Sequence, residues 1–500
     1  MKLSACLKRR LAWSQIITWG FVIWTGLIFL GALNDTNFNP VGLTSLILTS
    51  LGTGFIFGFV IWRFQLGALI KRYRWFLTVV AVGIALIWQL LVVTQVSAPI
   101  GFSAGELQRS LLNPAVGQHL LARNPSNFFP TYLQHWLLVQ FHLAPSWVNL
   151  NLINLSFFDF SLLLNLINVF LLNRSALMPL IWVQSGLMVT MIQVIVPGAD
   201  IMVLPFVSLL MLGFVINRTL GRDGRLNGWQ LLGTLGFSLG ALGTWLLKPS
   251  ALVLLVAIAG WSLMKFWTSS KKWSVIKTGL FKGLVFLLIV TSGGVVANQV
   301  KQHNDFIQIT DQQELPLSHS LALGLTAPGG SNVNQTKKMR QLATKSERNK
   351  YAEKIIFHQL RNYGMVGLGQ YFVTKNYHNT SDGTFGWYRG DHPYISKRPQ
   401  HKLQQLYYRT GTHFHDYQFL AQLFWVACLG LLILGFRVTG STVQVLRLAW
   451  MLGLTVLLLF EGGRSRLLIQ FLPELLLLLG LTYQAAWQKL MRLAHVFVTK

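Results

Sequence analysis

Residues 75–96 read WFLTVVAVGIALIWQLLVVTQV, 22 consecutive positions without a charged side chain. As a helix rising 1.5 Å per residue, this stretch is ~33 Å long, enough to cross the ~30 Å hydrocarbon layer of a bilayer. Residues 228–246 and 417–436 are equally charge-free. The same reading along the chain predicts twelve spans: 13–33, 43–62, 75–96, 150–172, 175–197, 199–217, 228–246, 250–266, 279–297, 417–436, 443–460 and 467–485. The expected fold is therefore an all-α polytopic membrane protein. The first span follows Lys2, Lys8, Arg9 and Arg10 in the manner of a signal peptide. Its apolar run is too long for an h-region and no small-x-small cleavage site follows, so it reads as an uncleaved anchor.

Composition points the same way. Of 500 residues 52% are hydrophobic and only 11% charged, yet 42 Lys+Arg against 15 Asp+Glu leave a net charge of +27. Such an excess of base would suit a nucleic-acid binder, but not with a mean hydropathy of +0.48. The aliphatic and aromatic content excludes a disordered chain. Two cysteines, Cys6 and Cys428, make neither a disulfide framework nor a CxxC site. With the N-terminus in the cytoplasm, 21 basic residues fall on cytoplasmic segments and five on short outer ones: Arg109, Arg123, Lys248, Arg464 and Arg466. That asymmetry is the positive-inside pattern of a multi-pass protein of the cell membrane with both termini cytoplasmic.

Residues 128–143 are too short to cross, at ~24 Å, and counting them as a span would put Arg218, Arg222 and Arg225 outside. They read as an interfacial helix starting near Pro130, with Tyr132 and Trp136 at headgroup level. Residues 104–122, broken by Pro114, read as its neighbour, so 97–149 form an outer loop carrying two or three such helices. A second outer region, 298–416, holds 15 Lys+Arg, 8 Asp+Glu and 8 of the 12 histidines. Its turns and aromatics predict a small extracytoplasmic domain. The expected organisation is N-terminal anchor helices (1–74), a transmembrane core (75–297), the loop domain (298–416) and C-terminal helices (417–500).

Ionisable residues in or beside spans are costly and mark function. Asp159 and Glu474 fall inside spans. Glu106, Asp200, Lys248, Glu461, Arg464 and Arg466 fall at one side of the membrane. Cations there would hold a lipid-linked phosphate, and a carboxylate would act as base on an acceptor. Each has a plainer alternative. The two arginines would anchor helix ends, Lys248 would snorkel, Asp200 would cap a helix, and Asp159 and Glu474 would bond within the bundle, Glu474 to one of the arginines. His413-x-His415-Asp416 has loose metal-ligand character without a third cluster to support it. No Walker loop or GxGxxG is present.

The layout resembles the GT-C superfamily, polytopic glycosyltransferases that use polyprenyl-phosphate sugars. Several short patterns resemble, more closely, an integral-membrane glycosyltransferase family of lactobacilli and related Gram-positive bacteria, associated in some genomes with an exosortase. They are Pro99-Ile100-Gly101-Phe102 through Asn113, Arg123-Asn124-Pro125-Ser126-Asn127, Val196-Pro197-Gly198-Ala199-Asp200, Leu247-Lys248-Pro249-Ser250, Ser381-Asp382-Gly383-Thr384-Phe385-Gly386-Trp387 and Phe460-Glu461-Gly462-Gly463-Arg464-Ser465-Arg466. The resemblance implies a GT-C-like fold and inverting transfer of a sugar from a polyprenyl-phosphate donor to a cell-envelope glycan or protein at the outer leaflet. Membrane lipid and no nucleic acid would be the partners. The first outer loop of such enzymes supplies an aspartate as base; this loop has none. Ser103 stands near that place and Glu106 three residues on, so either Glu106 takes the role or transfer is impaired. Asp200 maps onto the second outer acid, positioning the acceptor or binding a divalent ion such as Mg or Mn. Lys248, Arg464, Arg466, Glu461 and Arg123 are the substrate and phosphate candidates. Two other functions stay open: a transporter or flippase of lipid-linked sugars, and a non-catalytic envelope scaffold.

Overall fold

The computed structural model describes residues 2–38, 67–123, 125–221, 227–267, 272–307, 315–327, 332–387, 395, 398–460 and 462–498. The expected span 43–62 lies outside them. Helices in chain order are α1 (Lys2–Leu33), α2 (Gly67–Val96), α3 (Phe102–Leu112), α4 (Pro114–Arg123), α5 (Phe128–Gln140), α6 (Trp147–Leu172), α7 (Leu177–Thr190), α8 (Ala199–Met202), α9 (Leu204–Thr219) and α10 (Gly228–Leu247). There follow α11 (Val253–Trp267), α12 (Lys272–His303), α13 (Leu317–Gly324), α14 (Val333–Gln341), α15 (Lys345–Thr380), α16 (Gln404–Tyr407), α17 (Phe414–Leu434), α18 (Ser441–Leu459) and α19 (Leu472–Val498).

Nine helical segments among the described residues are long and apolar enough to cross a membrane: Trp13–Leu33, Arg72–Val96, Trp147–Leu172, Ala199–Thr219, Gly228–Leu247, Gly279–His303, Phe414–Leu434, Ser441–Leu459 and Ser465–Leu493. The expected span 175–197 is instead the 14-residue α7 followed by a 3-10 turn over Ile192–Ile195. Past the helix end, Asn154 of α6 donates to the carbonyls of Val194 and Val196, at 2.9 and 3.3 Å. The expected span 250–266 opens as a 3-10 turn at Pro249–Leu252 and leaves α11 only 15 residues.

Lipid tails offer helices no hydrophobic reward for associating, so close backbone packing carries much of the cohesion. The contact of α9 with α10 shows this. A Cβ on Gly213 would lie 2.2 Å from the Phe237 backbone nitrogen, and one on Gly240 would lie 2.4 Å from that of Leu210. The main core gathers α1, α2, α6, α7, α9, α17, α18 and α19 around Phe158, Leu210, Leu429, Trp450 and Leu477. One face of α6 is polar and buried: Asn151, Asn154, Ser161, Asn165 and Asn168 recur at helical spacing. Ser161 pairs with Ser208 of α9 at 2.8 Å, and Asn168 donates to the Ser208 carbonyl at 3.1 Å.

Between α2 and α6 the chain forms α3, α4 and α5, with the break at Pro114. Region 298–416 divides in two. Leu315, Ala322, Met339, Leu342, Ala352 and Ile355 make a small separate core among α13, α14 and the start of α15. Phe385, Trp387, Tyr407 and Tyr408 pack instead into the main core.

Candidate functional site

Three connections meet at one end of the bundle: the loop entering α8, the turn between α10 and α11, and the segment from α18 into the 3-10 turn Ser465–Phe471. Each brings one charge. Asp200 stands in the first turn of α8. Lys248 follows the last residue of α10, its backbone turned extended (φ −157°, ψ 88°) so that the chain leaves the helix axis before Pro249. Arg466 follows extended Arg464 (φ −142°, ψ 121°).

The Lys248 ammonium donates to Asp200 Oδ1. Arg466 Nε lies 2.9 Å from Asp200 Oδ2, an ion pair by distance, although the N–H is not aimed at the oxygen. These three side chains are only 15–18% exposed. One carboxylate thus faces two cations, and these three side chains together form a partly buried cluster with one positive charge in excess. Ser250 donates to Gln470 Oε1 at 2.6 Å, tying the Lys248 turn to the Arg466 segment.

A fully buried loop, residues 381–387, supports Arg466 from behind. Asp382 accepts from Thr384 N (2.9 Å), Thr384 Oγ1 (2.7 Å), Asn37 Nδ2 (2.8 Å), Gly386 N (2.8 Å) and Ser465 Oγ (3.1 Å). Phe385 holds a positive φ of 53° that non-glycine residues rarely adopt, and Gly386 follows at 80°. Gln193 Nε2 fixes this kink by donating to the Phe385 carbonyl at 2.8 Å. On the other side, Asn379 Oδ1 accepts from Gly463 N, and Lys375 Nζ donates to the carbonyls of Leu458 and Phe460 at 2.8 and 2.7 Å. Ser465 therefore points into the fold, Arg466 turns to Asp200, and Arg464 is exposed.

The expected residues part company here. Asp200, Lys248 and Arg466 are brought together. Glu106, on α3, is partly exposed and makes no ion pair or side-chain hydrogen bond among the described residues. Arg123 ends α4, and Glu461 lies outside the described residues. Asp159 accepts from Gln89 at 3.3 Å, the bond within the bundle that its span position suggested. Glu474 is buried, but neither carboxyl oxygen has a hydrogen-bond partner among the described residues, so the expected arginine pairing is corrected. His413 Nδ1 lies 2.8 Å from the buried Asp416 carboxylate. Among the described residues no group of three or more His, Cys, Asp or Glu is placed to hold a metal. Sequence reasoning quoted Asp382 and Ser465 in its motifs but gave them no role. The available signal was Asp-Gly-Thr, since an Asp side chain that bonds the backbone two residues on is a turn former.

The fold and the site define a polytopic helical membrane protein with a charged cluster at one end of the bundle. The chain belongs to the family described as conserved hypothetical integral membrane protein, whose model matches residues 13–487. No curated protein and no solved structure matches it.

Proposed function

We propose that the protein is a GT-C-like membrane glycosyltransferase that moves a sugar from a polyprenyl-phosphate donor to a cell-envelope acceptor on the outer face. The observation that carries this reading is the Asp200–Lys248–Arg466 cluster, a pocket with surplus positive charge built from three connections. The basic-residue asymmetry of the loops puts that end outside the cell, with both termini and the Gram-positive cytoplasm on the other side. The twelve-span count and a loop domain of its own belong to this reading.

In the transfer, an acceptor hydroxyl loses its proton and attacks the anomeric carbon. The bond from that carbon to the phosphate oxygen breaks, and polyprenyl phosphate leaves with the electron pair. Lys248 and Arg466 bind the phosphate and stabilise the charge it gains, as fixed cations in a water-poor site do most effectively. Asp200 holds both cations in place before the donor arrives. Glu106 is the proposed base, a carboxylate without an ion pair in the first loop. Arg464, exposed beside the pocket, and Arg123 and Glu461 are assigned to donor and acceptor recognition.

The test is transfer from a radiolabelled undecaprenyl-phosphate sugar in membranes. Lys248→Met and Arg466→Met are expected to lose activity by ~100-fold or more. Unchanged activity in both Glu106→Gln and Asp200→Asn sinks the residue assignments. Glu474, buried with no hydrogen-bond partner for its carboxyl oxygens among the described residues, favours a second reading as a proton-coupled carrier of lipid-linked sugar. Uptake into proteoliposomes that vanishes in Glu474→Gln, with no transfer activity, selects it.

A further inference from the structure

The C-terminal half of α15 lies outside every predicted span, yet its contacts lie beside one. Trp24 Nε1 donates to Asn376 Oδ1 at 2.9 Å. Trp24 stands nine residues before the end of the span Trp13–Leu33, a depth of ~13 Å at 1.5 Å per residue. Helical side chains lean toward their N-terminus, which carries the indole deeper still. Lys375 reaches the carbonyls at the end of α18, and a Cβ on Gly31 would lie 3.2 Å from the Tyr377 ring. This half-helix is thus set against α1 and α18 below the rim of the bundle.

The sequence there is suited to lipid. Residues 362–374 carry no charge and are flanked by Arg361 and Lys375. At ~20 Å they are too short to cross and long enough to lie within one leaflet. Met365, Val366 and Val373 are 90%, 76% and 70% exposed. Gly364 adopts φ 58°, ψ −173°, so the helix turns where the charge-free run begins. Before that turn Lys345, Lys350, Lys354 and Arg361 outnumber Glu347 and Glu353, Arg348 being buried. A basic arm joined to an apolar elbow complements anionic headgroups above hydrocarbon. On α1, against which this half-helix packs, Trp19, Ile23, Leu27 and Leu30 are also exposed.

We infer that residues 364–380 are a membrane-embedded elbow, with Met365, Val366 and Val373 in the acyl chains of the leaflet at the site end and the basic arm at its anionic headgroups. The elbow carries Lys375 and Asn379, the residues that grip the connection leading to Arg466. The inference does not depend on the transferase reading.

The test uses the full chain with Cys6→Ser and Cys428→Ala, reconstituted in phosphatidylglycerol/phosphatidylcholine vesicles. Single cysteines replace Met365, Val366, Val373 or Glu353 and carry a bimane fluorophore. Dibrominated phosphatidylcholine is expected to quench the first three at least twofold more than the Glu353 position, and aqueous iodide to show the reverse order. Iodide quenching equal at all four positions overturns the inference. So does shielding of Met365 and Val373 that appears only at high protein-to-lipid ratio, since a second copy then covers the face. Three probe sites keep the result readable if one substitution fails to fold.

Discussion

Asp200→Asn separates the two tasks given to this carboxylate, holding the fold's cations and opposing the donor's charge. At an effective dielectric of about 20, unit charges ~4 Å apart attract by roughly 4 kcal/mol, and Asp200 faces two. Desolvation cancels most of that. Exposed pairs net ~0–1 kcal/mol, whereas removing one partner of a buried pair costs ~3–5 kcal/mol. Side chains 15–18% exposed fall between these limits. The expected loss of stability is about 2–3 kcal/mol, part of it from Lys248 and Arg466 repelling across a neutral amide. The same change removes the carboxylate that would oppose the proposed phosphate in this cluster. A gain of about 1.4 kcal/mol in anion binding is tenfold in Kd. The variant should therefore melt several degrees lower in detergent and be rescued by short-chain polyprenyl phosphate at concentrations that barely shift the parent, because a ligand that binds only the folded state stabilises it by RT ln(1 + [L]/Kd). Turnover should fall despite the tighter binding, since the cations lose their fixed geometry. An unchanged melting point, or equal ligand shifts in parent and variant, refutes the reasoning. Lys248→Met supplies the sign check, because it should abolish the ligand shift rather than enlarge it.

Other perturbations probe the support of the site. Asp382→Asn places an amide N–H₂ opposite the Gly386 N–H and Ser465 O–H donors that Asp382 Oδ2 now accepts. It should cost about 2–4 kcal/mol in stability and raise KM for the donor more than it lowers kcat, whereas Ser465→Ala should cost only about 1 kcal/mol; thermal melts and steady-state kinetics distinguish them. Burial, with help from Arg340, pushes the His319 imidazole down to about 4. Its folded value lies below the unfolded one, so the unfolded state takes up the proton first and stability is lost as pH falls from ~6.5 toward 4, on the order of 2 kcal/mol. Amide protection factors in α13 and α14, corrected for the intrinsic exchange rate at each pH, should fall between pH 7 and pH 4.5, and His319→Gln should flatten that dependence.

The spans were legible because hydrocarbon imposes one coarse demand, a charge-free run of sufficient length, and residues 75–96, 228–247 and 417–434, inside three of the observed spans, meet it visibly. Breaks inside apolar runs were less legible. Nothing in residues 175–197 announces that Asn154, on another helix, will take the carbonyls of Val194 and Val196. Asp200, Lys248 and Arg466 could be nominated because charge at a span end is scarce. The loop that aims Arg466 could not, because Asp382 and Ser465 are 83 residues apart in sequence and meet only through the fold.

The elbow inferred for α15 bears on how the site is held. Lys248 sits just past the end of α10, and Arg466 in the first turn of the 3-10 segment that follows α18, so neither is fixed by an α-helical ladder. Its rigidity has to come from crosslinks. Ser250–Gln470 joins the two connections, Asp382–Ser465 holds the second from the core, and Lys375 and Asn379 clamp it from α15. The last pair belongs to the element inferred to rest on lipid. If that inference holds, removal into detergent should loosen the Arg466 connection before it melts the spans.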